Sequence, residues 1–336
     1  MAENRPRVGP FRIGVVTCAA AKLRDYFPTV AEPNLVPTEL PFTPDDQILV
    51  DELRRHGHEV RPVLWGCEIA ALVGSVDRLL TRSPWDYMDT VALRQRFLHW
   101  IAELDQAGLP VDNHPQLMAW LTDKTYLKDL EAVGVPIVPT RLVLRGEAVQ
   151  LADVFAAEGP LIVKPSVSAA GVGLVHLPSW AAAETFQAEF AKQASRQGFL
   201  IQPFLPQIQT AGEWSLIYLG GMYSHAVHKL PAERQILVHA EQGGSLKFTT
   251  PPAEVRAAGD HVIAHLAAAF ARRHDHEVPF PPLYLRMDLI ESPTGPLLSE
   301  CEGVEPELFF RACPGSERHF RELLEQRGPG ATRLPL

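Results

Sequence analysis

The sequence is poor in the features that would assign it to most function classes. Cysteine is scarce: Cys18, Cys67, Cys301 and Cys313 are the four present, and no two form a CxxC pair. That excludes a disulfide framework and fits a reduced, cytoplasmic protein. No apolar run approaches the roughly 18–20 residues of a membrane-spanning helix. The opening MAENRPRVGPFRIGVV has no apolar stretch ahead of a small-residue cleavage site, so a cytoplasmic location and no membrane partner are expected. A basic excess is also missing. The 31 Lys and Arg stand against 40 Asp and Glu, a net charge of −9. That balance argues against nucleic acid as the partner but leaves room for a local basic pocket around a small anion. No GxGxxG follows the first apolar run, where Thr17-Cys18-Ala19-Ala20-Ala21 stands instead, and no HExxH occurs. These absences remove a dinucleotide-dependent dehydrogenase and a zinc hydrolase.

What remains is an ordinary globular composition, 46% hydrophobic and 21% charged, with length for about two domains. Residues 1–10 read as a floppy lead and 11–17 as the first strand. Residues 20–42 read as a proline-bearing loop. Thr43-Pro44-Asp45-Asp46 opens a helix, with Thr43 as N-cap, proline in the first turn and carboxylates at the positive end of the helix dipole. Strands are expected at 59–64 and 76–80 and a helix over 90–107. This alternation at short spacing predicts a parallel α/β layer. Thr122 is expected to cap a helix running through Val133. From there the pattern predicts mostly strands, at 140–144, 161–164, 173–176, 199–203, 214–219 and 222–230. An alanine-rich helix at 253–273 and two closing strands at 283–290 and 296–301 complete the reading.

Four features in the second half carry chemistry. Lys124 stands at the expected helix start. Ile162-Val163-Lys164-Pro165 is a strand ending in lysine, and it runs into the small-residue loop 166–173, which includes Ser168 and Gly171. Gln202-Pro203-Phe204-Leu205 ends another strand, eight residues before Glu213. Arg286 and Asp288 share one strand, and Glu300 and Glu302 the next. Residues two apart on a strand point the same way, so these last four would gather on one sheet face, with Cys301 turned away. Three carboxylates so crowded would repel one another without a cation, and Mg²⁺ takes such oxygen ligands. Lysine suits phosphate oxygens, and a small-residue loop lets backbone N–H groups approach them. Singly, each feature is an ordinary strand end or turn; their order and spacing together are the signal. His274-Asp275-His276-Glu277, by contrast, reads as a solvated loop.

In that order the motifs over about 112–325 resemble the ATP-grasp superfamily of carboxylate–amine ligases. Its RimK-like ligases, D-alanine–D-alanine ligases and cycloserine-type cyclo-ligases are the nearest likenesses. The cyclo-ligases share the character of the segments at 82–87, 96–100, 224–227 and 305–309. The resemblance implies an N-terminal open parallel α/β domain (1–111) and a two-lobed ATP-grasp module (112–327). The module divides into a nucleotide lid at about 140–203 and a larger lobe at about 204–327, with a flexible tail at 328–336. It further implies that Lys124 and Lys164 hold the nucleotide phosphates, that Ser168 and Gly171 belong to the lid loop, and that Gln202, Phe204 and Leu205 read adenine. Pro203 stands where many members carry glutamate. Glu213 would hold the ribose. Asp288, Glu300 and Glu302 would bind Mg²⁺, or Mn²⁺ in its place. Arg286, Lys229 and Arg234 would face the reacting centre, and Arg82 and Tyr87 would grip an amino-acid substrate. The implied activity joins a small carboxylate to an amine through an acylphosphate, releasing ADP and phosphate, in antibiotic-type metabolism. An intramolecular cyclo-ligase and a non-catalytic nucleotide-binding protein are the alternatives. Dimers are common in the superfamily, which implies a homodimer.

Overall fold

The computed structural model describes residues 9–19, 22, 42–168, 171–232, 244–275 and 278–328. The expected N-terminal lead up to residue 8, nearly all of the loop at 20–42, the tail beyond Gly328, and Arg234, His276 and Glu277 lie outside the described residues.

The first sheet is built by β1 (Arg12–Thr17), β2 (Glu59–Leu64), β3 (Arg78–Ser83) and β4 (Val111–Asp112), in the spatial order β2-β1-β3-β4. All its pairings are parallel, as expected. Between its strands run α1 (Pro44–Arg55) and α2 (Val91–Gln106). Thr43 caps α1 by accepting the Asp46 N–H, and Thr90 caps α2 by accepting that of Leu93. The third strand begins two residues later than expected. Asp77 ahead of it is spent on Arg12, whose backbone N–H and guanidinium both reach its carboxylate. The strand then continues, fully buried, to Ser83.

The helix expected to start at Thr122 is two helices, α3 (Pro115–Thr122) and α4 (Tyr126–Ala132). Thr122 ends the first rather than capping the second, and its hydroxyl donates to the Met118 carbonyl four residues back. The Asp123 carboxylate accepts the Thr125 N–H and turns the chain between them. Lys124 therefore lies in a break, and its backbone N–H is free to donate to the Ser166 carbonyl at 2.8 Å.

The second sheet holds β5 (Arg141–Val143), β6 (Leu161–Pro165), β7 (Val175–Leu177) and β8 (Phe199–Pro203), antiparallel in the order β5-β8-β6-β7. Two helices that the strand-rich reading missed, α5 (Leu151–Glu158) and α6 (Trp180–Ala194), belong with it. The buried face of α6 is Ala183, Phe190 and Ala194, mostly small residues that leave a faint apolar period. This lobe has its own core, where Val143, Leu161, Val163 and Ile201 meet Leu151, Phe190 and Phe199.

The third sheet is antiparallel and five-stranded. It follows α7 (Gln207–Thr210) and comprises β9 (Glu213–Leu219), β10 (Met222–Leu230), β11 (Ser245–Phe248), β12 (Tyr284–Ile290) and β13 (Leu297–Glu302). Their order is β11-β10-β9-β12-β13, of which β11 was not anticipated. The alanine-rich helix α8 (Ala253–Phe270) packs Val255, Val262 and Leu266 into the main core. At Gly259 a Cβ would come within 2.6 Å of Leu216 and Tyr218, so glycine permits this close approach to β9. A final, unanticipated helix, α9 (Ser316–Arg327), returns to the first sheet. Phe11, Ile13, Val15 and Leu53 share one core with Leu219, Tyr284, Phe320 and Leu324. Across this seam the buried Asp112 takes both Arg78 and Arg327, the latter at 2.9 Å. Among the described residues no helix is long and apolar enough to cross a membrane.

Candidate active site

A cleft of about 1030 Å³, open toward solvent, runs between the second and third sheets. Its walls carry Lys124, Lys164, Ser168, Gly171, Gln202, Phe204, Leu205, Glu213, Lys229, Arg286, Asp288, Glu300 and Glu302. Every nucleotide and metal residue expected from the sequence is thus gathered in one place. Arg234 lies outside the described residues, and Arg82 and Tyr87 lie elsewhere.

The acidic group follows from strand register. In the antiparallel pair β12–β13, Asp288 stands opposite Glu300 and Arg286 opposite Glu302. The strand alternation projects all four to the cleft, and Cys301 turns into the core. Asp288, Glu300 and Glu302 offer carboxylate oxygens that all lie within 4.8 Å of one another. Arg286 bonds Asp288 at 3.0 Å and also Glu302. Lys124 pairs with Glu300 at 2.9 Å and donates to the Ser168 carbonyl at 2.5 Å. Lys229 pairs with Glu213 at 3.1 Å and reaches Asp288 at 3.5 Å, and Ser215 also donates to Asp288.

These pairings divide the carboxylates. Burial alone would raise Asp288, but Arg286 and Lys229 outweigh it and hold the group below the ordinary range. Glu300 is likewise lowered, its burial outweighed by Lys124 and Lys164. Glu302 goes the other way. Burial and the repulsion of Glu300 and Asp288 exceed the help of Arg286 and push it up to about 8. A carboxyl that holds its proton near neutrality is one that a cation would ionise. Three hard oxygen donors on neighbouring strands, one of them charge-frustrated, fit a divalent cation such as Mg²⁺. Lys164 is depressed by burial; among the described residues no carboxylate comes within ion-pair distance of it, which suits it to an incoming phosphate.

At the far end of the cleft the hinge is more constrained than its sequence suggests. Pro203 has no N–H, and the Phe204 N–H is spent on the Pro160 carbonyl at 2.7 Å. The Gln202 side chain donates to Thr140. Leu205 is left with the N–H that can read a base edge. The Phe204 ring packs on His176 with centroids 4.3 Å apart.

The two expected substrate residues are buried. Arg82 donates from Nε to Asp46 at 2.9 Å and from a terminal nitrogen to the Pro306 carbonyl at 2.8 Å. It lines a small crevice with Asp45 and Glu307, away from the main cleft. Tyr87 stacks on Phe97 at 4.2 Å and donates to Glu305 at 2.9 Å. It borders a smaller pocket that shares Lys124, Ser168, Glu300 and Glu302 with the main cleft. Sequence reasoning missed the parts played here by Glu305 and Arg94. Arg94 on α2 donates to the Val167 carbonyl in the lid loop at 3.1 Å. A lone arginine on a helix gives no signal of such a contact.

Comparison with known proteins agrees with this geometry. Residues 13–113 match the family described as the N-terminal domain of the D-cycloserine synthetase DcsG. The chain is 26% identical over 303 residues to the cycloserine biosynthesis protein DcsG of Streptomyces lavendulae, covering 80% of this chain and 94% of that one. The crystal structure of D-cycloserine synthetase DcsG superposes with a TM-score of 0.74 at 22% identity, over 94% of this chain and 99% of that one. The D-alanine–D-alanine ligase of Bacillus anthracis, solved with ATP, superposes at 0.59 and 12% identity, over 96% and 94%. The chain has the ATP-grasp fold that the resemblance implied, an α/β protein with a parallel first sheet and two antiparallel ones.

Proposed function

We propose that the protein is an ATP-dependent ligase that joins a small carboxylate to an amine, releasing ADP and phosphate. The observation that carries this reading is the convergence of Lys124, Lys164, Lys229 and Arg286 with Asp288, Glu300 and Glu302 in one cleft that Ser168 and Gly171 also line. Similarity to a cycloserine biosynthesis protein supports a role in antibiotic-type metabolism.

The roles follow from placement. Lys124 and Lys164 bind the phosphates from opposite walls, and Ser168 and Gly171 close over them. Glu213, backed by Lys229, accepts from the ribose hydroxyls, and Gln202, Phe204 and Leu205 enclose the base. Asp288, Glu300 and Glu302 would hold Mg²⁺, or Mn²⁺ in its place, whose charge offsets that of the β- and γ-phosphates. Arg286, fixed by Asp288 and Glu302, presents its guanidinium where charge builds on the transferring phosphoryl group and then on the tetrahedral oxyanion. Closure of the lobe excludes water from the acylphosphate until the amine attacks. Arg234 belongs to the same reading as a further cation near the transferred group. The use of ATP agrees with a cytoplasmic location.

The test is an assay of ADP and phosphate release with amino acids and amino-acid derivatives, singly and in pairs. Release of AMP and pyrophosphate would overturn the acylphosphate route. A second reading, intramolecular cyclisation, is favoured by the match of residues 13–113 to the cycloserine synthetase family. It is distinguished by turnover with one compound alone.

A further inference from the structure

The strand β13 delivers Glu300 and Glu302 to the cleft, and the chain then turns at Gly303. A Cβ at Gly303 would stand 2.5 Å from Leu121 and 2.8 Å from Leu285, so only glycine lets the chain cross the core so tightly here. The crossing brings Glu305 to the smaller cavity beside the cleft. The first domain clasps this segment. Trp85 donates to the Glu305 carbonyl at 3.3 Å, Arg82 to that of Pro306, and Asp45 accepts the Leu308 N–H at 3.1 Å. On the other side His225 bonds the Leu308 carbonyl at 2.8 Å. Three segments singled out separately in the sequence, 82–87, 224–227 and 305–309, are one assembly.

Its product is a fixed carboxylate. Glu305 Oε1 accepts from Tyr87, while Oε2 is buried and bonds to no group among the described residues. Nor does Glu305 belong to the metal-binding triad, and among the described residues no cation lies within ion-pair distance of it. A buried carboxylate oxygen left unpaired costs free energy, and such a group retained beside a cleft is matched to a ligand. The cavity it lines adjoins the triad, so a molecule there would lie next to the γ-phosphate.

We propose that Glu305 is the specificity residue for the nucleophile: its Oε2 accepts a hydrogen bond from the substrate's ammonium or amine N–H, with Tyr87 holding the carboxylate in place. The charge pattern of the site assigns the two substrate ends. The acid end belongs among Lys124, Lys164 and Arg286. Glu305, whose Oε2 is buried without a partner among the described residues, offers an acceptor to an N–H donor. The inference rests on the ligase reading, and deepens it by naming what selects the amine.

The test does not need turnover. Protein saturated with Mg²⁺ and a non-hydrolysable ATP analogue is titrated calorimetrically with D- and L-alaninamide, which carry an ammonium and no carboxylate. Propionamide, of similar size without the ammonium, is the control. At least one alaninamide should bind saturably to the wild type, and bind about tenfold or more weakly to Glu305→Gln, as expected for loss of a charge-assisted hydrogen bond. Affinity for the ATP analogue should stay within about twofold, which also reports an intact fold. Tyr87→Phe, which keeps the carboxylate but frees it, should weaken alaninamide by a smaller factor. The proposal is overturned if neither enantiomer binds the wild type, if propionamide binds as well as alaninamide, or if both variants bind alaninamide like the wild type. Failure of the ligase reading is read separately, as no ADP release with any acid and amine.

Discussion

The lobe of residues 141–203 and the rest of the molecule are held by different means. The lobe carries a private core, and only Leu200 and the half-buried Leu142 lean into the main one. Around the end of β6 its contacts with the rest are, among the described residues, polar: Lys124 to Ser166 and Ser168, Ser166 to Asp123, and Arg94 to Val167. The first and third sheets, in contrast, share a continuous apolar core, and α9 ties itself to the first sheet through the buried pair of Arg327 and Asp112. Among the described residues the proposed nucleotide cover is thus tied to the main core by the apolar packing of two leucines, whereas the first and third sheets are packed as one.

The largest effect that sharpens this contrast belongs to the side packed as one. Arg82→Met strands the buried Asp46, and breaking a buried pair in this way costs about 3–5 kcal/mol. Urea unfolding should show that loss, with affinity for an ATP analogue unchanged in the surviving folded protein. A variant of normal stability that instead loses substrate affinity would make Arg82 a substrate ligand and break the contrast.

Next is the line where the two parts meet. Glu300→Gln removes an oxygen of the proposed metal site and the partner of Lys124. Turnover at limiting Mg²⁺ should fall at least about tenfold, because a contact to a charged centre is worth about 1.5–3 kcal/mol. Normal turnover under those conditions would remove Glu300 from the metal site. On the lobe itself, Lys164→Ala should weaken binding of the ATP analogue by about tenfold and leave the melting temperature nearly unchanged, since no native ion pair is lost. Arg286→Ala should do the reverse, depressing kcat with nucleotide affinity nearly intact. An exchange of these two results would reverse the assigned roles.

The smallest effect tests the seam through pH. Burial pushes Glu325 up, but bonds from Arg321 and His58 outweigh it and leave its carboxyl below the ordinary 4.5. A group lowered on folding contributes stability above its unfolded value and loses it as pH falls through the folded one. The contribution is below about 1 kcal/mol at so exposed a site. The wild type should therefore lose melting temperature more steeply than Glu325→Gln as the pH drops beneath 4.5.

What could be read from the sequence was what local periodicity encodes. Strand parity placed Arg286, Asp288, Glu300 and Glu302 on one face, and a single run led from Lys164 into the lid loop. The cap at Thr43 marked its helix because a hydroxyl three residues ahead of an N–H is a local bond. The failures have a tertiary cause. The break at residues 123–125 serves a bond from Lys124 to Ser166, a residue just past the end of β6. Helix α6 buries mainly alanine, so its period was faint. Glu305 carries no signal of its own in the sequence beyond a shared motif, because its partner, Tyr87, stands 218 positions away.

The clasp of Asp112 by Arg327 has a consequence for how the protein is born. Domains commonly fold as they leave the ribosome, the amino-terminal one first. Here Arg78 pairs with Asp112 inside the first sheet, but its second cation, Arg327, and the cover that Phe320 and Leu324 add to the shared core come only with α9, 215 positions after that aspartate. During synthesis that side of the core stays incomplete until nearly the whole polypeptide is made. A nascent chain stalled before Phe320 should be a client of chaperones, while the lobe at 141–203, complete in itself, can already have folded.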